Sequence, residues 1–235
     1  MEKENIFKWK HYQPDIILLT VRWYLRYNLS PRDLVEMMEE RGFSLAHITI
    51  MRWVHQYGPE LNERIRTHLK STNASWRVDE TYIKIKGEKM YLYRIIDSEG
   101  NSIDFYLSCK RDAKAAKRFL KKALDSCHAT NPRLITADGD KAYPAAIHEL
   151  KEEKCIPNEI PLRVKKYLNN IIEQEHGFIK KRIRNMLGLK SLRTARKMIA
   201  GIETIHTVKK GQTLQGEKPV QRQIYLINAI FGLTA

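Results

Sequence analysis

The chain has 235 residues, 42 of them Lys or Arg against 27 Asp or Glu, which gives a formal net charge of +15, and 43% are hydrophobic. That length accommodates one medium domain and a small one with ample core, and the basic excess is an electrostatic footprint for polyanions such as nucleic acid. No apolar run reaches the roughly 18 to 20 residues of a membrane span, and the amino-terminal MEKENIFKWK lacks a signal-peptide core, so the expectation is a soluble, cytoplasmic protein without a membrane partner.

Asp15 to Tyr27 is rich in apolar and aromatic residues without a breaker and predicts a first helix. Ser30 caps a second, with Pro31 at its first position, Asp33 as the capping-box acid, and Leu34, Met37 and Met38 as its apolar face; Gly42 ends it. A third helix follows from about Ala46 to Tyr57, with Ile50, Trp53 and Val54 inward and His47, Thr49 and Arg52 outward. Two short helices joined by a glycine-containing turn read as a helix-turn-helix, whose second helix would carry His47, Thr49 and Arg52 into a DNA groove. Gly58-Pro59 is expected to break the chain there, leaving a connecting helix over Glu60 to Leu69 and a polar run to Ser75.

From Trp76 the period changes. WRVDETYIKIKG, KMYLYRIID and NSIDFYLS are three β-rich runs separated by turn residues, an antiparallel meander. Ala116, Phe119, Leu120, Ala123 and Leu124 form a helical stripe, then a short strand from Arg133 to Ala137 ends at Asp138, and a helix runs from about Lys141 to Leu150. Cys109, Cys127 and Cys155 are widely spaced with no C-x-x-C pair, so neither a disulfide framework nor a zinc site is indicated and buried thiols are expected. His47 and His55 are too far apart for a helical H-x-x-x-H metal pair.

The closing basic segment, Arg163 to Arg184, reads as one helix, and residues 164 to 200 hold ten basic side chains against Glu173 and Glu175. Glu173 and Lys180, seven apart, share a face. Asp79 lies inside the first strand, where a carboxylate is costly unless compensated. Asp138 ends a later strand. If those strands are neighbours and the basic helix crosses them, the three acids converge on a site for divalent cations.

These runs, together with AKAAKRFL, KYLNNIIEQEHGFIKKRI, LGLKS, GIE and KKGQ, resemble the DDE transposases of the insertion-sequence-six family over about His11 to Gln212. The resemblance implies an α/β fold with a ribonuclease-H-like catalytic core, a mixed five-stranded sheet with flanking helices, preceded by a small all-α helix-turn-helix domain. The corresponding division is 1–57 DNA-binding, 58–75 connecting, 76–190 catalytic and 191–235 a carboxy-terminal helical extension. The family's catalytic and metal-binding triad falls on Asp79 of the DET motif, Asp138, and Glu173 of N-N-x-x-E, with Lys180 on its basic position. Thirty-four residues separate Asp138 from Glu173, as in the family. Asp140 and Glu175 repeat that spacing, with Arg182 seven beyond, but Asp140 is suited to an N-cap and Glu175 lies about 200° around the helix from Glu173. Asp97 and Asp104 are read as turn and strand-surface residues.

The implied function is binding of terminal inverted repeats, metal-dependent cleavage, and transfer of the freed 3′-hydroxyl into target DNA, giving cointegrates. Two Mg²⁺ or Mn²⁺ ions per site, Lys165, Lys166, Lys180, Lys181, Arg182 and Arg184 on phosphates, a homodimer or higher oligomer, and action at the bacterial nucleoid are implied with it. Alternatives are a catalytically silent DNA-binding regulator and a metal-dependent nuclease without joining activity. The chain departs from the family at Leu162-Arg163, where many members have His-Arg, and in its last twenty-four residues, which read as a packing helix or a partner interface.

Overall fold

In the computed structural model, which describes residues 6–8, 10–164, 170–186, 189–216 and 218–233, the meander is present as Ser75–Ile85 (β1), Glu88–Asp97 (β2) and Ser102–Ser108 (β3). Lys86 and Gly87, at φ 51° and 85°, make the two-residue turn between the first pair, both in the left-handed region that matches strand twist. The second turn is organised by Asp97, whose carboxylate accepts the backbone N–H of Glu99 and Asn101 at 2.9 Å each. Asp104, expected on the strand surface, is instead buried and bridged to Arg66 (3.2 Å) and Lys122 (2.7 Å).

Leu134–Ala137 (β4) and Leu162–Val164 (β5) add in parallel, so the sheet is mixed and five-stranded with order β3-β2-β1-β4-β5, the architecture expected for the core. β5 corrects the reading of Arg163 as the start of the basic helix. The Pro161 carbonyl accepts the Ile135 N–H at 3.2 Å and commits the next three residues to pairing with β4. The helix proper is Asn170–Arg184 (α6).

Side chains alternate across β1. Trp76 and Val78 join the core beneath Ala113–Leu124 (α4) and Ala142–Glu152 (α5), while Ile83 and Ile85 face the other layer, with Ile179 of α6 and Leu192–Lys209 (α7). That second core is continuous with the amino-terminal helices Pro14–Arg26 (α1), Pro31–Glu39 (α2) and His47–Ile65 (α3), and with Val220–Ile230 (α8). The expected capping box is formed: Asp33 N–H donates to Ser30 Oγ (3.1 Å) and Ser30 N–H to Asp33 Oδ2 (2.7 Å).

Two readings are corrected here. α3 does not stop at Gly58-Pro59 but runs on to Ile65, followed by a 3-10 turn at Arg66–His68. A proline inside a helix forfeits one hydrogen bond, and tertiary packing outweighs that loss: Gly58 lies against α7, where a Cβ would meet Lys197 O at 3.2 Å. The cysteines are free, with Cys109 and Cys127 exposed and Cys155 half-buried, because each lies beyond the end of an element. Among the described residues no helix is long and apolar enough to cross a membrane.

Arg94 ties the layers together. It is 1% exposed and is the cross-strand partner of Asp79, so both project toward α6. Its guanidinium meets Glu203 of α7 at 2.7 and 3.0 Å and donates to the Glu175 carbonyl of α6 at 2.7 Å. A buried arginine satisfied in this way fixes the distance of α6 from the sheet.

Candidate active site

β1 and β4 pair in parallel through Arg77 and Thr136, and continuing that register by two residues sets Asp138 opposite Asp79. One carboxylate oxygen from each of Asp79, Asp138 and Glu80 lies within 4.8 Å of the other two. Asp79 is 8% exposed and faces α6; Glu80 faces α5, where the Tyr143 hydroxyl donates to it. Both reach Asp138 because β4 ends there. Strand alternation argues against using two successive residues in one site, which is why Glu80 is not legible from the sequence.

Burial raises the Asp138 carboxyl above the usual carboxylate range, and the nearby charges of Asp79 and Asp140 add to the rise. Glu80 is raised as well, chiefly by burial, with Tyr143 and Arg111 opposing. Burial, with the Glu80 charge beside it, pushes the Tyr143 phenol far up, so it remains a donor. Arg111, in the loop after β3, donates to Glu80 at 2.7 Å and pairs with Asp140 at 2.8 Å. The arrangement is concentrated, partly desolvated negative charge on hard oxygen donors, which suits divalent cations.

Glu173 is exposed in the first turn of α6 and does not join the three clustered acids. One turn on, His176 is 5% exposed and its Nε2 lies 3.1 Å from Asp79 Oδ2, so the face of α6 that carries Glu173 is the one in contact with the cluster. His176 Nδ1 is buried without a partner among the described residues. No sequence pattern singled out this histidine.

The alternative register is engaged elsewhere. Glu175 meets His206 and Lys210 at 3.1 Å each; burial alone would raise its carboxyl, but these partners hold it at about 2. Asp140 accepts the Ala142 N–H at 2.7 Å, a turn contact two residues on rather than the expected N-cap, because α5 starts one residue later and its N-cap position is Lys141. Among the basic residues, Lys180, Lys181 and Arg184 are exposed. Arg182 is not: it is 3% exposed, donates to the carbonyls of Tyr24 (2.6 Å) and Leu29 (3.1 Å), and its guanidinium lies over the Tyr24 ring. Its expected phosphate contact is thus replaced by a link between α6 and α1. Lys165 and Lys166 lie outside the described residues. On α3, His47 and Arg52 are exposed and Thr49 half-exposed, with Ile50, Trp53 and Val54 buried behind them.

Comparison with known proteins bears on this geometry. Among solved structures, the integrase catalytic core domain of HTLV-2 in complex with magnesium is similar in its dimeric form (18% identity, TM-score 0.40, 48% of this chain and 71% of that one) and in its trimeric form (16%, 0.46, 67% and 97%). A family model described as a DDE domain matches residues 73–212, which include Asp79, Asp138 and Glu173. The transposase for insertion sequence-like element IS431mec of Staphylococcus aureus is 38% identical over 206 residues, 88% of this chain and 89% of that protein. The transposase for insertion sequence element IS257 in transposon Tn4003, from the same species, matches at the same identity and coverage. The chain therefore belongs to the DDE transposases of the insertion-sequence-six family.

Proposed function

We propose that this transposase binds the terminal inverted repeats of its insertion sequence, cleaves at the element's end and transfers the freed 3′-hydroxyl into target DNA, giving cointegrates. The observation that carries the reading is the meeting of Asp79 and Asp138 across neighbouring parallel strands, with the helix bearing Glu173 bonded to Asp79 through His176. Asp79, Asp138 and Glu173 are the residues that hold the metal. Two divalent cations, Mg²⁺ or Mn²⁺, supply an activated oxygen nucleophile and neutralise the leaving oxygen when bound at such a site.

The chain's own groups do the rest. His176 orients Asp79, and Arg94 holds α6 at its distance from the sheet through the Glu175 carbonyl. Lys180, Lys181 and Arg184, all exposed on α6, take phosphates of the bound strand. His47, Thr49 and Arg52 enter a groove of the repeat. Two ends must be handled together, so a homodimer or larger homo-oligomer acts, at the nucleoid.

Asp79→Asn tests the proposal on a duplex carrying the inverted repeat. End binding is expected to remain while metal-dependent cleavage and joining are lost. Retained strand transfer by the variant refutes the assignment. Nicking by the natural chain without joined products would identify a nuclease, and binding without nicking a regulator.

A further inference from the structure

Tyr82 is 53% exposed on β1, two residues beyond Glu80 on the same face and hence about 7 Å further along the strand. β4 pairs with β1 only as far as Arg77, and the next bridge on that edge among the described residues is Ile85 to Leu189, three residues beyond Tyr82. The ring is flanked by two ammonium groups: Lys89 Nζ lies 5.3 Å and Lys180 Nζ 5.4 Å from its centroid. Beside it on the neighbouring strand is Tyr91, its cross-strand partner, half-buried against the α4–α5 core. The result is a half-exposed aromatic ring next to the carboxylate cluster, with two ammonium groups set over it.

We infer that Tyr82, Lys89 and Lys180 form a stacking platform for an unpaired base of the DNA strand handled at the acidic cluster. The inference rests on the reading that this cluster acts on DNA. An aromatic face offers a base a stacking surface without reading its hydrogen-bonding edge, so the site tolerates any sequence. A cation–π contact at an exposed site is weaker than base–aromatic stacking, so a base displaces the ammonium groups from the ring. They then swing onto the phosphates on either side of it. Only an unstacked base can use such a face, which points to the nucleotides at the cleaved end rather than to intact duplex. Lys180 thereby gains a second partner besides the backbone phosphate.

The test compares the full-length chain with Tyr82→Trp and Tyr82→Ala, without divalent metal, on an end-containing duplex bearing 2-aminopurine at each terminal position in turn. A fluorescence change at one or more terminal positions is expected with the natural chain and with Tyr82→Trp, and none with Tyr82→Ala. Affinity for a single-stranded oligonucleotide should fall about tenfold in Tyr82→Ala. Lys89→Ala should instead lower the salt dependence of that binding. Equal fluorescence and equal single-strand affinity for the natural chain and Tyr82→Ala would overturn the inference. So would an unchanged signal accompanied by a change of oligomer mass, which would make the ring a contact between copies. Should the natural chain prove unable to cut end-containing DNA, the transposition reading fails separately, and the single-strand arm still decides whether the platform exists.

Discussion

His176 Nε2 and Asp79 Oδ2 lie 3.1 Å apart although they are 97 positions apart in the chain. Both are buried, and one belongs to the helix that carries Glu173 while the other belongs to the strand that pairs toward Asp138. The contact therefore sets the orientation of the carboxylate we propose as a metal ligand and the position of the helix bearing Glu173 in one bond.

His176 is accordingly a positioning residue. His176→Ala should reduce metal-dependent cleavage about 10- to 100-fold, the usual cost of losing a group that orients a ligand. The metal concentration for half-maximal activity should rise, while the dissociation constant for end-containing DNA stays put. His176→Gln, which keeps a hydrogen-bonding group, should recover part of the loss. An Ala variant whose metal requirement matches the natural protein would mean that the histidine only fills space.

The carboxylate cluster carries a stability cost whose pH dependence has a definite sign. Burial raises the folded-state pKa of Asp138 above the usual aspartate range, so its charged form is less favourable in the folded protein than in the unfolded chain. The cost is present in full above the raised pKa and disappears as pH falls through it toward the usual aspartate range. Asp138→Asn should thus stabilise the metal-free protein at neutral pH by about 0.5–2 kcal/mol while abolishing cleavage. The gain should vanish in acid. Urea denaturation at pH 7.5 and pH 4 checks this, and an Asn variant that is less stable at neutral pH would show that Asp138 is held by interactions stronger than its desolvation.

Much of this architecture is written in local patterns. Alternation predicts the meander, the Ser30–Asp33 box sets the start of α2, and the position of Asp138 after an apolar strand points to a strand-end acid. What fails are features decided by distant partners. Arg182 sits among four basic residues that look like one cationic face, yet each helical step turns about 100°, and this one turns inward to the Tyr24 carbonyl. Three residues are too few for β5 to show a period, and only the edge of β4 selects it. Glu80 points away from Asp79 by alternation, and it is the ending of β4 that brings Asp138 within reach of both.

The same dependence on distant partners explains why α3 continues past Gly58-Pro59, and it gives the last prediction. Gly58 and Gly201 form the crossing of α3 and α7: a Cβ on Gly201 would stand 3.2 Å from Gly58 Cα and 2.7 Å from Leu25 Cδ1. The leucine methyl can move, but the backbone of α3 cannot without separating the helices. Gly201→Ala should therefore destabilise the fold by about 1–3 kcal/mol, as overpacking does. Gly58→Ala meets Lys197 O at 3.2 Å and, in ordinary contact, Gly201 Cα at 3.6 Å and N at 3.8 Å; it gains roughly 0.5–1 kcal/mol from replacing a helical glycine, so it should lie near the natural stability. In the double variant the two new methyl groups face the same crossing, and the loss should exceed the sum of the single ones. The strain also reaches the site, because Glu203, two residues beyond Gly201, holds Arg94 and through it α6. Urea denaturation of the three variants decides the matter: a Gly201→Ala protein as stable as the natural one would mean that the helices have room at this crossing, and that the glycines are not what lets α3 pass its proline.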